Sequence, residues 1–281
     1  MRRRFLQLDV FSPTPFLGNP LAVVADADGL DTEDMRRIAR WTNLSETVFL
    51  LPPQRDEADY RVRIFNLGDE LPFAGHPTLG ACRAWLATGG APRDADTVVQ
   101  ECGAGLVPVR RRADGLAFAA PPLVRSGPVD AEVHAELAAV VRLGPDDLID
   151  AQWVDNGPGW VAALLDSAEA VLAVEPDAAA VGPATHKVGL VGPYPPGSAC
   201  AFEVRGLFSD GDAVREDPVT GSLNASLGQW LLASGRAVAP YVASQGTRLH
   251  RAGRVHVDAD PDGTVWVGGA TAVCIEGTIE A

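Results

Sequence analysis

The strongest constraint on the fold of this 281-residue chain is a pair of glycine-to-glycine segments that carry almost no charge. Residues 75–89 read GHPTLGACRAWLATG and residues 221–235 read GSLNASLGQWLLASG, and Arg83 is the only Lys, Arg, Asp or Glu in either. A helix on a protein surface has a polar face, and these segments offer almost none. Both are therefore predicted to be buried helices.

The two segments begin 146 residues apart and share further features. Each follows a loop that opens with Gly-Asp, at 68–69 and at 211–212, and each has a tryptophan late in the helix, Trp85 or Trp230. These parallels favour an internal duplication, in which each half wraps strands around one buried helix. Two unrelated buried helices in a single core are the alternative.

The remaining segments, such as 47–51 and 60–65, are mostly predicted strands, and together they predict an α+β fold. Two further helices are indicated: one is capped by Asp31 and runs through Asn43, and the other covers residues 131–141. Strands outnumber helices and show no regular alternation with them, which argues against a doubly wound sheet.

Composition excludes several classes of function. With 37 acidic and 23 basic residues the formal net charge is −14, and the only basic runs are the triplets at 2–4 and 110–112, so no nucleic-acid partner is expected. No stretch approaches the roughly 20 apolar residues of a membrane span, and the N-terminus is not a signal peptide. Four cysteines without close spacing are typical of a reduced, cytoplasmic protein.

Motifs for the common cofactors are absent from the sequence. It has no dinucleotide-binding or phosphate-binding glycine loop, no H-E-x-x-H zinc motif and no G-x-S-x-G nucleophile motif. Its five histidines are scattered, so their spacing predicts no metal site. We expect neither a cofactor nor a metal ion.

Glu46 is the first candidate for acid/base chemistry. It begins a strand-like run, 45–51, in which it shares a face with Val48 and Leu50. A carboxylate on an apolar face is costly to keep ionised, which suits a group that exchanges protons near neutral pH. An exposed or arginine-paired residue at the strand start is the alternative.

The starts of the two buried helices are the second candidate region. Pro77 fits the first helical position, which would make His76 the N-cap residue. At the corresponding start of the other helix, Asp217 lies just before the helix and Ser222 is predicted at the cap. Free backbone N–H groups at such a start bind anions, and the side chains add proton carriers. Ordinary capping roles are the alternative for each residue.

One cysteine motif is rejected. Cys102 begins C-G-A-G, which is similar to the C-G-x-G of thiol-based epimerases, but that motif opens a buried helix. Here a strand is predicted to follow, so Cys102 is not expected to be catalytic.

Five segments, in order along nearly the whole chain, resemble the PhzF family, the isomerases named for phenazine biosynthesis. The matching segments are DVF (9–11), GNPLAV (18–23), NLSET (43–47), ELPFAGHPT (70–78) and EDPVTGS (216–222). The middle of the chain, 121–184, shows little family signature.

The resemblance implies a diaminopimelate-epimerase-like fold with two pseudo-symmetric halves, each a curled, mostly antiparallel, barrel-like sheet around a central buried helix. The expected halves are 1–119 with 269–281, and 120–268, with the active site between them. It also implies a cofactor-free homodimer. The two cysteines of the related epimerases are replaced by Ala74 and Thr220, which argues against racemisation by two thiols.

The family's catalytic glutamate corresponds to Glu46, with His76 and Asp217 as the other catalytic residues. Gly75, Gly221 and Ser222 would bind the substrate carboxylate, and Asn19 and Ser45 are further substrate-binding candidates. The implied reaction moves a proton and a double bond in a small, unsaturated, cyclic carboxylic or amino acid of secondary metabolism, as in antibiotic biosynthesis. An epimerase of a proline-like amino acid and an inactive binding protein are the alternatives.

Overall fold

The computed structural model describes residues 1–209 and 213–281, and they form two compact units. Unit 1 comprises Met1–Ala119 and Gly268–Ala281, and unit 2 comprises Ala120–Val267. The second of the two Gly-Asp pairs that favour a duplication, at 211–212, lies outside the described residues. No helix in the described ranges has the length and apolar character needed to cross a membrane.

Unit 1 is a curled sheet packed around a helix. Its helices are α1 (Thr32–Thr42) and α2 (Gly75–Ala87), and its strands are β1 (Arg2–Val10), β2 (Asn19–Val24), β3 (Thr47–Leu51), β4 (Tyr60–Phe65), β5 (Glu70–Leu71), β6 (Thr97–Cys102), β7 (Gly105–Arg112), β8 (Gly115–Ala119) and β18 (Thr271–Glu280). The strand order is β18-β1-β2-β3-β4-β6-β7-β8, parallel at β2–β3 and β4–β6 and antiparallel elsewhere.

Unit 2 repeats this plan. Its helices are α3 (Ala131–Val141), α4 (Ala168–Ala173) and α5 (Gly221–Ala233), and its strands are β9 (Arg125–Pro128), β10 (Asp150–Asp155), β11 (Val161–Leu164), β12 (Lys187–Pro193), β13 (Phe202–Ser209), β14 (Val214–Asp217), β15 (Tyr241–Gln245), β16 (Gly253–Ala259) and β17 (Val265–Gly269), whose last two residues belong to unit 1. The order β9-β10-β11-β12-β13-β15-β16 is parallel at β11–β12 and β13–β15.

The two units share their connectivity around the central helix. In unit 1, β4 pairs with β5 near its end and with β6 near its start, and α2 connects β5 to β6. In unit 2, β13 pairs with β14 and β15 in the same way, and α5 connects them. The predicted α+β class with two pseudo-symmetric halves is confirmed.

Both central helices are mostly buried, as their nearly charge-free sequences predict. They also end alike: the N–H of Thr88 bonds the carbonyl of Ala84, and the N–H of Ser234 bonds that of Trp230, again 146 residues further along the chain. A glycine lets α2 approach the sheet, because a Cβ on Gly80 would lie 2.3 Å from the side chain of Leu21.

The elements that the sequence patterns did not predict are all short. The predicted strands at 47–51 and 60–65 and the helix at 131–141 have the expected bounds. The strands β5, β9, β10, β14 and β15 and the helix α4 were not predicted. All of them span six residues or fewer, too few for a clear period of hydrophobicity.

We expect Gly268→Ala to destabilise unit 1. A Cβ at Gly268 would lie 2.1 Å from the backbone oxygen of Leu116, and backbone cannot move aside as a flexible side chain can. The cost should be about 1–3 kcal/mol in the free energy of unfolding. Guanidinium unfolding followed by tryptophan fluorescence measures it.

Gly277→Ala is the matched control, since Gly277 also lies in a strand but a Cβ added there would have no heavy atom within 4 Å. Its unfolding midpoint should stay near that of the wild type. Equal effects of the two substitutions would contradict the steric explanation.

Candidate active site

The first turn of α2 begins two positions earlier than the sequence predicts. The N-cap residue is Ala74, in extended conformation, and the N–H of Thr78 bonds its carbonyl oxygen at 3.1 Å. His76 is therefore the second helical residue and Pro77 the third, so the assignments of His76 to the N-cap and of Pro77 to the first position are wrong. The first four helical N–H groups lack an acceptor in the helix, so proline is tolerated at the third position as well.

Glu46 and His76 form a pair. Glu46 precedes β3 directly rather than lying in it, and its carboxylate Oε2 lies 3.1 Å from Nδ1 of His76. The Glu46 side chain is 21% exposed, whereas that of His76 is 5% exposed. The pair thus reaches solvent through the carboxylate.

The other nitrogen of the imidazole, Nε2, is buried and has no hydrogen-bond partner among the described residues. Buried polar atoms in proteins almost always have partners, and an orphaned one needs an explanation. A neutral imidazole that donates its Nδ1–H to Glu46 presents Nε2 as an acceptor. A bound ligand with a hydroxyl or amino group would satisfy it.

Ser222 occupies in α5 the position that His76 occupies in α2. The N-cap residue of α5 is Thr220, so Ser222 is the second helical residue and not the cap that the sequence predicts. The reason is the same as in α2, since an extended residue precedes the glycine that opens each helix. Gly75 and Gly221 are both the first helical residue, and both are buried.

A loop from the middle of the chain orients Ser222. The indole Nε1 of Trp160 lies 3.1 Å from Oγ of Ser222, and Nδ2 of Asn156 donates to its carbonyl oxygen at 2.9 Å. Indole nitrogen is only a donor, so the serine oxygen accepts and its own proton is available to another acceptor. The loop is shaped by Asp155, whose Oδ1 accepts from the backbone N–H groups of Gly157 and Gly159.

Asp217 is half-buried at the end of β14, three residues before the N-cap of α5. Its Oδ2 accepts a 2.7 Å hydrogen bond from the hydroxyl of Thr220, and its carbonyl accepts from Nε2 of Gln245. The neighbouring Glu216 makes a buried ion pair with Arg205 at 2.8 Å. Successive side chains of a strand alternate, so this pair orients Asp217 to the opposite face.

The predicted site residues fall into two groups within the units. Unit 1 brings together Glu46 and His76, whereas unit 2 holds Asp217 and Ser222. Asn19 is fully buried at the start of β2, and Ser45 is exposed beside Glu46. No residue in the described ranges belongs to a cluster of three or more His, Cys, Asp or Glu side chains that could hold a metal ion.

Sequence reasoning missed four residues near these groups: Asn156, Trp160, Thr220 and Gln245. Thr220 lies inside a segment that the sequence analysis already singled out, 216–222. The glycine-rich turn at 155–159, between two strand-like segments, was a usable signal for Asn156 and Trp160. Gln245 has no local signal, because its contacts depend on the pairing of β15 with β13.

The cysteines are unsuited to thiolate chemistry. Burial raises the pKa of all four thiols, to about 12 for Cys82 and by a smaller amount for Cys102, Cys200 and Cys274. Cys102 ends β6, and strand β7 follows it, as the sequence predicts.

The family model described as "Phenazine biosynthesis-like protein" matches residues 8–278. "Antisense-enhancing sequence 1" of Schizosaccharomyces pombe is 36% identical over 97% of this chain and 97% of its own length. "Trans-2,3-dihydro-3-hydroxyanthranilate isomerase" of Pseudomonas aeruginosa is 34% identical over 98% of both chains.

Solved structures share the fold. A phenazine biosynthesis protein of the PhzF family from Bacillus anthracis superposes with a TM-score of 0.83 over all of both chains at 22% identity. A hydroxyproline epimerase from Agrobacterium vitis superposes with a TM-score of 0.58 over 99% of this chain and 92% of its own, at 15% identity.

We expect iodoacetamide to leave the activity of the native protein unchanged at about pH 7.5, because thiols with a raised pKa are protonated there and react slowly. Alkylation of the native chain should be much slower than alkylation of the chain unfolded in guanidinium. Mass spectrometry after timed labelling measures both rates. Loss of activity in step with labelling of Cys102 would show that this thiol takes part after all.

Proposed function

The chain belongs to the phenazine biosynthesis-like protein family and is an isomerase, and we propose that Glu46 is its proton shuttle. The reaction we propose moves a proton and a double bond within a small, unsaturated, cyclic carboxylic or amino acid. The observation that carries this proposal is the Glu46–His76 pair, in which a partly exposed carboxylate contacts a buried imidazole whose second nitrogen has no partner among the described residues.

The proposed step begins with the carboxylate of Glu46 taking a proton from an allylic carbon of the substrate. The electron pair of that C–H bond becomes part of a new double bond, and the electrons of the original double bond move to its far carbon. Glu46 then returns the proton to that carbon. Atoms and electrons balance without any further reactant, which is why one side chain can serve as both base and acid.

His76 supports this role in two ways. Its Nδ1–H donates to Glu46, which holds the carboxylate in place, and the buried Nε2 is positioned to contact a substrate oxygen or nitrogen.

Unit 2 supplies the groups that we propose to bind the substrate carboxylate and the developing enol. The first-turn N–H groups of α5 suit an anion, and the Ser222 hydroxyl, whose oxygen accepts from Trp160, has a proton to donate. Asp217 is the proposed partner for the enol. The contribution of both units to one substrate site remains a prediction from the sequence, as do the substrate-binding roles of Asn19 and Ser45.

The curated relative from Pseudomonas aeruginosa suggests a first compound for assay, trans-2,3-dihydro-3-hydroxyanthranilate. It fits the proposed class, because it is a cyclic, unsaturated amino acid with a carboxylate. We propose turnover of this compound or of a close analogue.

We also propose a role in secondary metabolism such as antibiotic synthesis, a cytoplasmic location and a homodimeric assembly. Light scattering after size exclusion tests the assembly.

We expect Glu46→Gln to lower kcat by about 10²–10⁴-fold, since glutamine keeps the shape but cannot take up the proton. Ultraviolet absorbance follows the double-bond shift, and NMR in deuterated water locates the transferred proton. Glu33→Gln is the control, because Glu33 is an exposed acid of the same unit that pairs with Arg36. Near-normal turnover by Glu46→Gln would remove this residue from the mechanism.

Epimerisation is the second candidate reaction, favoured by the fold shared with the hydroxyproline epimerase. It would exchange one hydrogen for deuterium at a single carbon of trans-4-hydroxy-L-proline without moving a double bond. The same NMR measurement therefore separates the two reactions. An inactive binding protein would show neither.

We expect Trp160→Phe to raise KM by about 3- to 10-fold with a smaller effect on kcat, because it removes the N–H that orients the Ser222 hydroxyl, together with the rest of the five-membered ring. Trp266→Phe is the matched control in the same unit, since the Trp266 indole donates to Asp260 at 2.9 Å. Steady-state kinetics of both variants measure the changes in KM and in kcat separately. Equal KM values for the two variants would count against a role for Ser222 in binding.

A further inference from the structure

Asp217 is held by a chain of hydrogen bonds that starts at a fully buried glutamine. Oε1 of Gln245 accepts from the backbone N–H of Thr220 at 3.0 Å, and its Nε2 donates to Thr220 Oγ1 at 2.9 Å. The Thr220 hydroxyl in turn lies 2.7 Å from Oδ2 of Asp217. Gln245 is completely buried, and Thr220 is nearly so.

The donor and the acceptor of each of these hydrogen bonds follow from one group that can only donate, the backbone N–H of Thr220. The backbone N–H of Thr220 must face an oxygen, so it assigns Oε1 of Gln245, and Nε2 then faces the Thr220 hydroxyl. Because that hydroxyl accepts from Nε2, its own proton is directed to Asp217. Oδ2 of Asp217 is therefore an acceptor, and any proton that the acid carries is on Oδ1.

The Thr220 hydroxyl does not perform the usual task of its position. A threonine at the N-cap normally accepts from an N–H of the first helical turn, but Thr220 makes no side-chain cap bond. Its hydroxyl points back along the chain to Asp217 instead.

Comparison of the two units shows which of these hydrogen bonds the fold itself requires. In unit 1 a buried glutamine, Gln100, bonds Thr78, the fourth residue of α2, and in unit 2 Gln245 bonds Asn224, the fourth residue of α5. The N-cap residue of unit 1 is Ala74, which has no hydroxyl, and α2 is nevertheless buried and intact. The hydrogen bonds that run from the glutamine through the N-cap hydroxyl to the acid therefore belong to unit 2 and have no counterpart at the N-cap of unit 1.

We propose that Thr220, oriented by Gln245, is a positioning residue that fixes the rotamer and the proton-bearing oxygen of Asp217 during the isomerisation. This inference rests on the role proposed above for Asp217. It adds a residue that acts through Asp217 and does not itself contact the substrate.

The test compares Thr220→Val with Thr220→Ser, because valine keeps the shape of threonine without the hydroxyl and serine keeps the hydroxyl. With trans-2,3-dihydro-3-hydroxyanthranilate as the probe, Thr220→Val should lower kcat by about 10- to 100-fold while KM changes little. Thr220→Ser should stay within about threefold of the wild type.

Thr185→Val is the matched control for lost stability. Thr185 is also buried in unit 2, accepts from a backbone N–H and donates to a carboxylate oxygen, that of Glu136 at 2.6 Å. The Thr185→Val substitution should lower the denaturant midpoint of unfolding and leave kcat unchanged. Equal kcat losses in Thr185→Val and Thr220→Val would overturn the proposal, since both would then be stability effects.

A double variant separates this inference from the proposed function. If Thr220 acts through Asp217, adding Thr220→Val to Asp217→Asn should cause no further loss of kcat, whereas additive losses would overturn the inference. If Asp217→Asn alone retains full activity, the proposed role of Asp217 fails, and the inference fails with it.

A second readout needs no substrate. The hydroxyl bond favours the ionised carboxylate, so the carboxyl ¹³C signal of Asp217 should titrate at a higher pH in Thr220→Val than in the wild type, Thr220→Ser and Thr185→Val. An unchanged titration in Thr220→Val would overturn the proposal even if the probe compound is not turned over.

Discussion

The structure depends on the burial of most of two helices, including most of their first turns. Water cannot reach the N–H groups of a buried first turn, so the protein must supply their partners or leave them for a ligand. In α5 the Thr220 N–H bonds Gln245, and Asn224 bonds both Gln245 and the Thr220 carbonyl. In the first turn of α2, the buried Nε2 of His76 has no hydrogen-bond partner in the part of the chain that the structure describes. The constraint that shapes the core thus also fixes the polar groups that we propose to contact the substrate.

The sequence predicted the features that come from long patterns. The near absence of charge over 15 residues indicated both buried helices, and the repeat distance of 146 residues relates Gly75 to Gly221 and His76 to Ser222. The helix starts were misplaced by two residues. Proline is permitted at three successive positions of a first turn, so Pro77 alone could not decide which residue is the cap.

The supporting residues of the site could not be predicted, because they are distant in sequence. Trp160 reaches Ser222 across 62 positions and Gln245 reaches Thr220 across 25, and both contacts depend on which strands pair. A glutamine in a strand-like segment looks like any other half-buried polar residue. Only the parallel pairing of β15 with β13 brings it to the start of α5.

The differences between the units bear on the type of reaction. A racemase exchanges the roles of its two acid/base groups when it runs in reverse, so equivalent positions should carry equivalent groups. Here the second helical residue is an imidazole in α2 and a hydroxyl in α5, and the acid of unit 2, Asp217, corresponds to Leu71 in unit 1. The two helix starts have thus diverged in chemistry while keeping the same backbone. Such asymmetry suits a reaction in which one side shuttles the proton and the other binds the anion, and this favours a double-bond shift over racemisation.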